Sequence, residues 1–288
     1  MIYHTIMSNN IALIEKYLGH EISWYEIISK WWDYEVILYD WMIYRFPRPD
    51  KMMDLELEKR KLDIIRPYIS LPIPDFTIVD NTFIVYPVIN WVTFDDCNEP
   101  FSDSVIDNLT TFIKELHSVP LDKLDFMDTQ NKQSDEEKKW FQSWVQSMKE
   151  DIIKRLDRKT PVKTIAALTT YMDELFFTYD SPIKAFVHTD IQGKNIIYDP
   201  DQYKIAGIID FTDSRIWGIE LDFCHFAFRE DDVLEKMVTK YLWHLDNEFI
   251  KRIEFLAKRS VIWEITNDDI YNNKFSYLID QLKKYRFI

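Results

Sequence analysis

Between positions 186 and 213 the chain carries Phe186, Val187, His188, Thr189 and Asp190, then Asn195, and later an apolar run Gly207, Ile208, Ile209 that closes on Asp210. The pattern H-x-D-x-x-x-x-N, a short hairpin and a strand ending in Asp holds the parts that phosphoryl transfer needs. A carboxylate must sit beside the acceptor hydroxyl to orient it and take its proton, and Asp190 suits that role. Mg²⁺ bridging nucleotide phosphates calls for hard oxygen ligands. Asn195 supplies an amide oxygen and Asp210 a carboxylate. A hairpin brings these two together although they lie fifteen positions apart.

The elements around this segment follow from hydrophobic period and punctuation. Residues 11–29 read as helical. Val36 to Tyr39 and Met42 to Phe46 read as strands joined at Asp40 and Trp41, with Pro47 and Pro49 ending the second. Leu55 to Ile65 reads as an amphipathic helix and Leu71 to Pro74 as a rigid connector. Phe76 to Val79 and Thr82 to Ile89 read as two more strands around Asp80 and Asn81. Helical spacing then dominates over 105–116, 141–156 and 165–175. Short strands return at Ala185 to Val187, Asn195 to Tyr198 and Ile205 to Ile209, and helices take over again from about Val233. The expected fold is α+β, with a small antiparallel-sheet lobe over 1–89, a hinge over 90–95 and a larger, mostly helical lobe over 96–288.

Composition excludes several alternatives. The chain has 288 residues, 47% of them hydrophobic and 16% aromatic, which is enough apolar surface for a sizeable core. Its net charge of −14 argues against general nucleic-acid binding, where a basic footprint supplies most of the affinity. No apolar run approaches the ~18 residues of a membrane helix, and no secretory signal is visible, so a cytoplasmic location is expected. Two cysteines cannot supply a disulfide framework or a zinc cage. The six histidines are scattered without H-E-x-x-H spacing, which leaves a metal hydrolase remote. Only four glycines occur, at 19, 193, 207 and 218, and neither G-x-G-x-x-G nor G-x-x-x-x-G-K-[ST] is present. Rossmann and P-loop phosphate binding are therefore disfavoured. Three of the four glycines, at 193, 207 and 218, fall in a 26-residue window that also holds Asn195 and Asp210.

The segment from Phe186 to Asp213 resembles the aminoglycoside phosphotransferase family, whose members share the protein-kinase-like fold. The resemblance extends along most of the chain. Tyr44, Arg45, Phe46, Pro47 and Arg48 look like the family's third strand, whose basic residue contacts nucleotide phosphates. Glu58 falls where a helix glutamate pairs with that residue, and Leu71 to Pro74 matches the connector that follows. Phe112 to Ser118 resembles the first helix of the large lobe. Asp222, in Leu221, Asp222, Phe223, resembles the aspartate that braces the catalytic loop. The sequence departs from the family in places. Ser29 to Glu35, with Trp31 and Trp32, stands where a glycine-containing phosphate loop is common, Thr189 and Trp91 stand at usual glycines, and Trp217, Gly218 and Ile219 replace a Gly-Asp-Pro.

The resemblance implies a small-molecule O-phosphotransferase that uses ATP or GTP with Mg²⁺. Asp190 would be the catalytic carboxylate, with Asn195 and Asp210 on the metal. Arg45, held by Glu58, would contact phosphate. The hinge from Tyr86 to Trp91, with Tyr86, Val88 and Ile89, would receive the base. His188 would pack beneath the loop and, with Asp222, support it. From Asp199 to Asp232 the sequence has nine acidic and three basic residues. The family's cationic antibiotics bind acidic pockets, so Asp213, Glu230 and Asp231 are expected acceptor-binding residues. Macrolides, choline-like amines, sugars and homoserine stay open as acceptors, as does a non-catalytic kinase-like binding protein. No nucleic-acid or membrane partner is expected.

Overall fold

The computed structural model describes residues 2–28, 34–48, 54–89, 92–97, 99–127, 135–229, 231–267 and 274–288. The chain forms two compact units. One comprises Met1–Pro100 with Gln192–Thr212, and the other Phe101–Ile191 with Asp213–Ile288. The Gln192–Thr212 segment thus groups with the N-terminal residues.

The first unit is built on a five-stranded antiparallel sheet of order β1-β2-β3-β5-β4. Its strands are β1 (Glu26–Ile28), β2 (Tyr34–Tyr39), β3 (Met42–Pro47), β4 (Thr77–Val79) and β5 (Phe83–Pro87). Both tight turns work through left-handed backbone. Asp40 and Trp41 have φ of 48° and 61°, and Asp80 and Asn81 have 48° and 53°. Two consecutive residues with positive φ give a turn whose twist matches that of the flanking strands. Register then follows: Tyr39 pairs with Met42, Arg45 with Val36 on one side, and Arg45 with Ile84 on the other.

Helix α1 (Ile2–Leu18) covers one face of this sheet. Ile14 packs there with Ile37, Tyr44, Phe46, Phe83 and Val85, all buried. The helical reading of 11–29 is corrected at its second half. The helix closes at Gly19, which has φ +77° and returns its N–H to the Glu15 carbonyl at 2.8 Å. Residues 26–28 instead form the edge strand β1. The apolar spacing of Ile22, Tyr25 and Ile28 continues the helical period, but a left-handed glycine ends a helix irrespective of the pattern beyond it.

Tyr44 and Phe46 point to α1, so Arg45 between them points to the opposite face, because strand side chains alternate. Helix α2 (Leu55–Ile65) supplies its partner there. Asp54 caps it by accepting the Leu57 N–H at 2.9 Å. Its buried stripe is Leu55, Glu58, Lys61, Leu62 and Ile65. The first unit also holds β6 (Val92–Thr93), the short helix α3 (Phe94–Cys97) and the hairpin β8 (Ile196–Asp199) with β9 (Lys204–Ile208), in order β6-β8-β9. The Leu71–Pro74 connector docks on β9 through Ile208 N–H to Pro72 O, 3.0 Å. Gly207 is needed for that approach: a Cβ there would lie 2.7 Å from the Pro72 oxygen.

The second unit is mainly helical, with α4 (Asp103–His117), α5 (Asp135–Leu156), α6 (Val162–Asp173), α7 (Val233–Leu242), α8 (Asn247–Ala257), α9 (Arg259–Thr266) and α10 (Phe275–Lys284). Ser102 caps α4, and Val105, Ile106, Leu109, Phe112, Ile113 and Leu116 are its buried stripe. A second core joins Ile152, Leu168, Met172, Val261, Ile265, Leu278 and Leu282 from α5, α6, α9 and α10. A two-stranded ladder pairs β7 (Lys184–Val187) with β10 (Arg215–Gly218) and leads into a buried 3-10 segment, Ile219–Phe226. Among the described residues no helix is long and apolar enough to cross a membrane.

Candidate active site

Asn195 and Asp210 lie in the first unit, at the two ends of the β8–β9 hairpin. Ile196 pairs with Ile208, and one step further out Ile209 donates its N–H to the Asn195 carbonyl at 3.0 Å. Asp210 is therefore the residue after the last backbone tie to Asn195. Asn195 is fully buried. Asp210 has φ +69°, a conformation Asp tolerates better than bulkier residues. Among the described residues no group of three or more His, Cys, Asp or Glu side chains gathers as a metal cage. The donor set of one amide and one carboxylate oxygen suits Mg²⁺, which is commonly held by one or two protein oxygens together with substrate phosphates.

Arg45 and Glu58 meet as the resemblance implied. Nη2 of Arg45 donates to Glu58 Oε2 at 2.7 Å, and both side chains are buried. The same nitrogen donates to Thr212 Oγ1 at 3.2 Å, while Lys61 Nζ donates to the Thr212 carbonyl at 3.2 Å. Arg45 thus also fixes the chain two residues beyond Asp210. Its guanidinium stacks 3.7 Å over the ring of Tyr34, whose hydroxyl donates to Glu58 at 3.3 Å. Burial pushes the Tyr34 phenol up to about 12, although the Arg45 charge opposes it. Burial also acts against the Arg45 charge, but Glu58 with Tyr34, Tyr86 and Asp210 outweighs it, so its pKa is raised. Nε of Arg45 is a buried donor without a hydrogen-bond partner among the described residues.

The expected hinge residues are described in part. Tyr86 is buried on β5, and Val88 and Ile89 are half-buried. Val88 N–H is used by the Trp41 carbonyl at 2.9 Å. Trp91, together with Trp31 and Trp32 of the region expected over the phosphates, lies outside the described residues.

Asp190 lies in the second unit, in a loop held by Asp222. The Asp222 carboxylate is fully buried and accepts the N–H of His188 at 3.1 Å and of Thr189 at 2.7 Å. It also contacts His117 Nε2 at 3.0 Å, and His117 Nδ1 lies 2.9 Å from the Tyr241 hydroxyl. His188 is fully buried, and its Nδ1 accepts the Asp190 N–H at 3.3 Å, so its ring proton sits on Nε2. Thr189 has φ +76°, the conformation that glycine adopts without strain. Its carbonyl accepts from Arg259 Nη2 at 3.1 Å. The loop is thereby fixed at three consecutive residues before any ligand arrives.

Sequence reasoning missed His225. Its Nε2 lies 2.9 Å from Asp190 Oδ1, with both side chains about one-third exposed. A signal was available. His225 follows Asp222 by three residues in the same 3-10 segment, and positions i and i+3 of such a helix share one side.

The expected acceptor acids are less uniform. Asp213 is exposed and lies 4.0 Å from Arg215. Asp231 is gripped by Arg229, with Nε to Oδ1 at 2.9 Å and Nη2 to Oδ2 at 2.6 Å, and these hydrogen bonds hold its carboxyl below the usual range. Glu230 lies outside the described residues.

Residues 33–242 match the phosphotransferase enzyme family. The chain belongs to that family. It is a phosphotransferase, as the sequence led one to expect. No curated protein matches it significantly. Its fold is that of several solved phosphotransferases. The GDP complex of aminoglycoside 2'-phosphotransferase-IIIa is 15% identical with a TM-score of 0.71, covering 99% of this chain and 97% of that one. Macrolide 2'-phosphotransferase type I is 16% identical with a TM-score of 0.64, covering 97% and 96%. The macrolide 2'-phosphotransferase MphH from Brachybacterium faecium is 13% identical with a TM-score of 0.63, covering 94% and 96%. The expected α+β, kinase-like fold of this phosphotransferase is thus observed.

Proposed function

We propose that this phosphotransferase moves the γ-phosphoryl group of ATP or GTP to a hydroxyl of a small-molecule acceptor, an aminoglycoside-like cation. The observation that carries the reading is the fixed loop at Asp190: Asp222 holds the two preceding N–H groups and His188 holds its own. An aspartate so anchored presents its carboxylate to an acceptor with little reorganisation. The acceptor oxygen attacks the γ-phosphorus, the bond to the β–γ bridging oxygen breaks, and nucleoside diphosphate leaves. The hydroxyl proton passes to Asp190. Rate comes from positioning and charge neutralisation, since little covalent chemistry falls to the protein.

Residues 1–89 act as the nucleotide lobe in this reading, 90–95 as the hinge and 96–288 as the acceptor lobe. Tyr86, Val88 and Ile89 face the base. Arg45 contacts phosphate, with Glu58 holding the guanidinium. Asn195 and Asp210 are the Mg²⁺ ligands, and the ion when bound neutralises phosphate charge. Asp213, Glu230 and Asp231 bind the acceptor. The location is cytoplasmic. Support for a nucleotide donor comes from relatives of the same fold described as GDP, ATP and ADP complexes. Support for an antibiotic acceptor comes from relatives described with streptomycin, gentamicin and kanamycin.

The test is nucleoside diphosphate release with ATP and with GTP against kanamycin, a macrolide, choline, a hexose and homoserine. Asp190→Ala is expected to abolish transfer and leave nucleotide binding largely intact, and near-normal turnover would sink the mechanism. A macrolide or other neutral acceptor is the second reading, favoured by the neutralisation of Asp231 by Arg229. A non-catalytic binding protein is the third. Saturating nucleotide should raise stability by about 2.7 kcal/mol at a hundredfold excess over Kd. Stabilisation without diphosphate release on any acceptor would favour that third reading.

A further inference from the structure

We infer that His225 is the positioning residue for Asp190, holding its carboxylate in one orientation. The inference rests on the proposed role of Asp190. His225 Nε2 and Asp190 Oδ1 are 2.9 Å apart. An ionised carboxylate only accepts, so the imidazole donates through Nε2–H.

The 3-10 segment Ile219–Phe226 is anchored independently of this contact. Glu220 is fully buried, and it accepts from Arg252 Nε at 2.8 Å and from Ser181 Oγ at 2.6 Å. Asp222 is fully buried on the loop amides. One turn further on, the same side of the segment presents His225. A single rigid segment therefore fixes both the backbone leading to Asp190 and its side chain. With Oδ1 held by His225, the carboxylate keeps one orientation. The imidazole also removes the choice of rotamer, so the carboxylate does not have to be ordered in each turnover.

The experiment compares wild type, His225→Phe, His225→Gln and Asp190→Asn. Gln carries an amide nitrogen near the position of Nε2, whereas Phe keeps the bulk and loses the donor. Diphosphate release is read with ATP and with GTP, with kanamycin as acceptor and, without it, with water in the acceptor position. His225→Phe is expected to lower kcat at least tenfold while the nucleotide KM stays within twofold. His225→Gln is expected to recover kcat to within threefold of wild type. Melting temperatures of all four should agree within a few degrees, since His225 is partly exposed. A Phe variant with kcat within twofold of wild type, or a Gln variant as slow as Phe, overturns the inference. Asp190→Asn separates the two levels. If it stays active, or wild type releases no diphosphate under any condition, the proposed function fails and the role of His225 with it. If Asp190→Asn is dead and His225→Phe is not, only the inference fails.

Discussion

Arg45 on β3 and Glu58 on α2 form an ion pair of 2.7 Å in which neither side chain retains more than 4% of its surface. Thr212, two residues after Asp210, shares the same guanidinium nitrogen. The pair therefore ties a strand, a helix and the segment beyond the candidate metal aspartate into one buried knot.

Removing one member of a buried pair leaves the other charged and unsolvated. Glu58→Ala is expected to cost about 3–5 kcal/mol, read as a lowered urea midpoint with an unchanged slope. The double variant Arg45→Met, Glu58→Leu should recover most of that loss, because apolar replacements restore packing without a buried charge. Transfer activity should stay lost in both. A single variant as stable as wild type would show that the pair is solvated in solution.

The brace at Asp222 makes a second claim. Asp222→Ala strands the N–H groups of His188 and Thr189 in a dry site, at about 1–3 kcal/mol each. A stability loss of at least about 2 kcal/mol is expected, with kcat falling as the loop loses its register. Loss of stability with kcat intact would detach the brace from the chemistry.

Thr189 stores strain. A β-branched residue at φ +76° costs on the order of 1–2 kcal/mol, and glycine removes that term while adding some unfolded-state entropy. Thr189→Gly should raise stability by up to about 1 kcal/mol, measured by thermal unfolding. A drop of more than about 1 kcal/mol would mean that the hydroxyl carries more than its 3.5 Å contact with the Asp213 carbonyl suggests.

Glu264 offers a pH signature. Burial pushes its carboxyl above the ordinary range, opposed by the Tyr277 hydroxyl at 3.3 Å. The folded state thus holds this proton more tightly than the unfolded chain. Its contribution is fully present below the unfolded pKa and is lost as pH rises through the folded one. Glu264→Gln should therefore be more stable than wild type near pH 7, with the gap closing as pH falls below the normal carboxylate range. An equal gap at pH 4 and pH 7 would place the effect in packing.

Much of the candidate site was legible because its parts are local. The loop from His188 to Asn195 and the strand into Asp210 lie within one stretch, and hydrogen-bonded hairpin geometry alone brings Asn195 to within one residue of Asp210. Glu58 was also readable in principle. It stands three residues after Leu55 and four before Leu62, on the apolar stripe of its helix, which a solvated glutamate would not occupy. Where the reading failed, a backbone state was involved. Gly19 ends α1 by adopting φ +77°, and the apolar period beyond it is silent about that.

By itself, the sequence determined the residue types at the candidate site, the period of most helices and the two tight turns, because each depends on neighbours within a few positions. Only the tertiary structure decided the partners of the charged groups. It tied Arg45 to Thr212, neutralised Asp231 with Arg229, and set His225 against Asp190. Of these, the two that involve Thr212 and Asp190 join segments far apart in the chain, and their cost and gain depend on burial. Burial is a property of the packed fold, which no local pattern of residues carries.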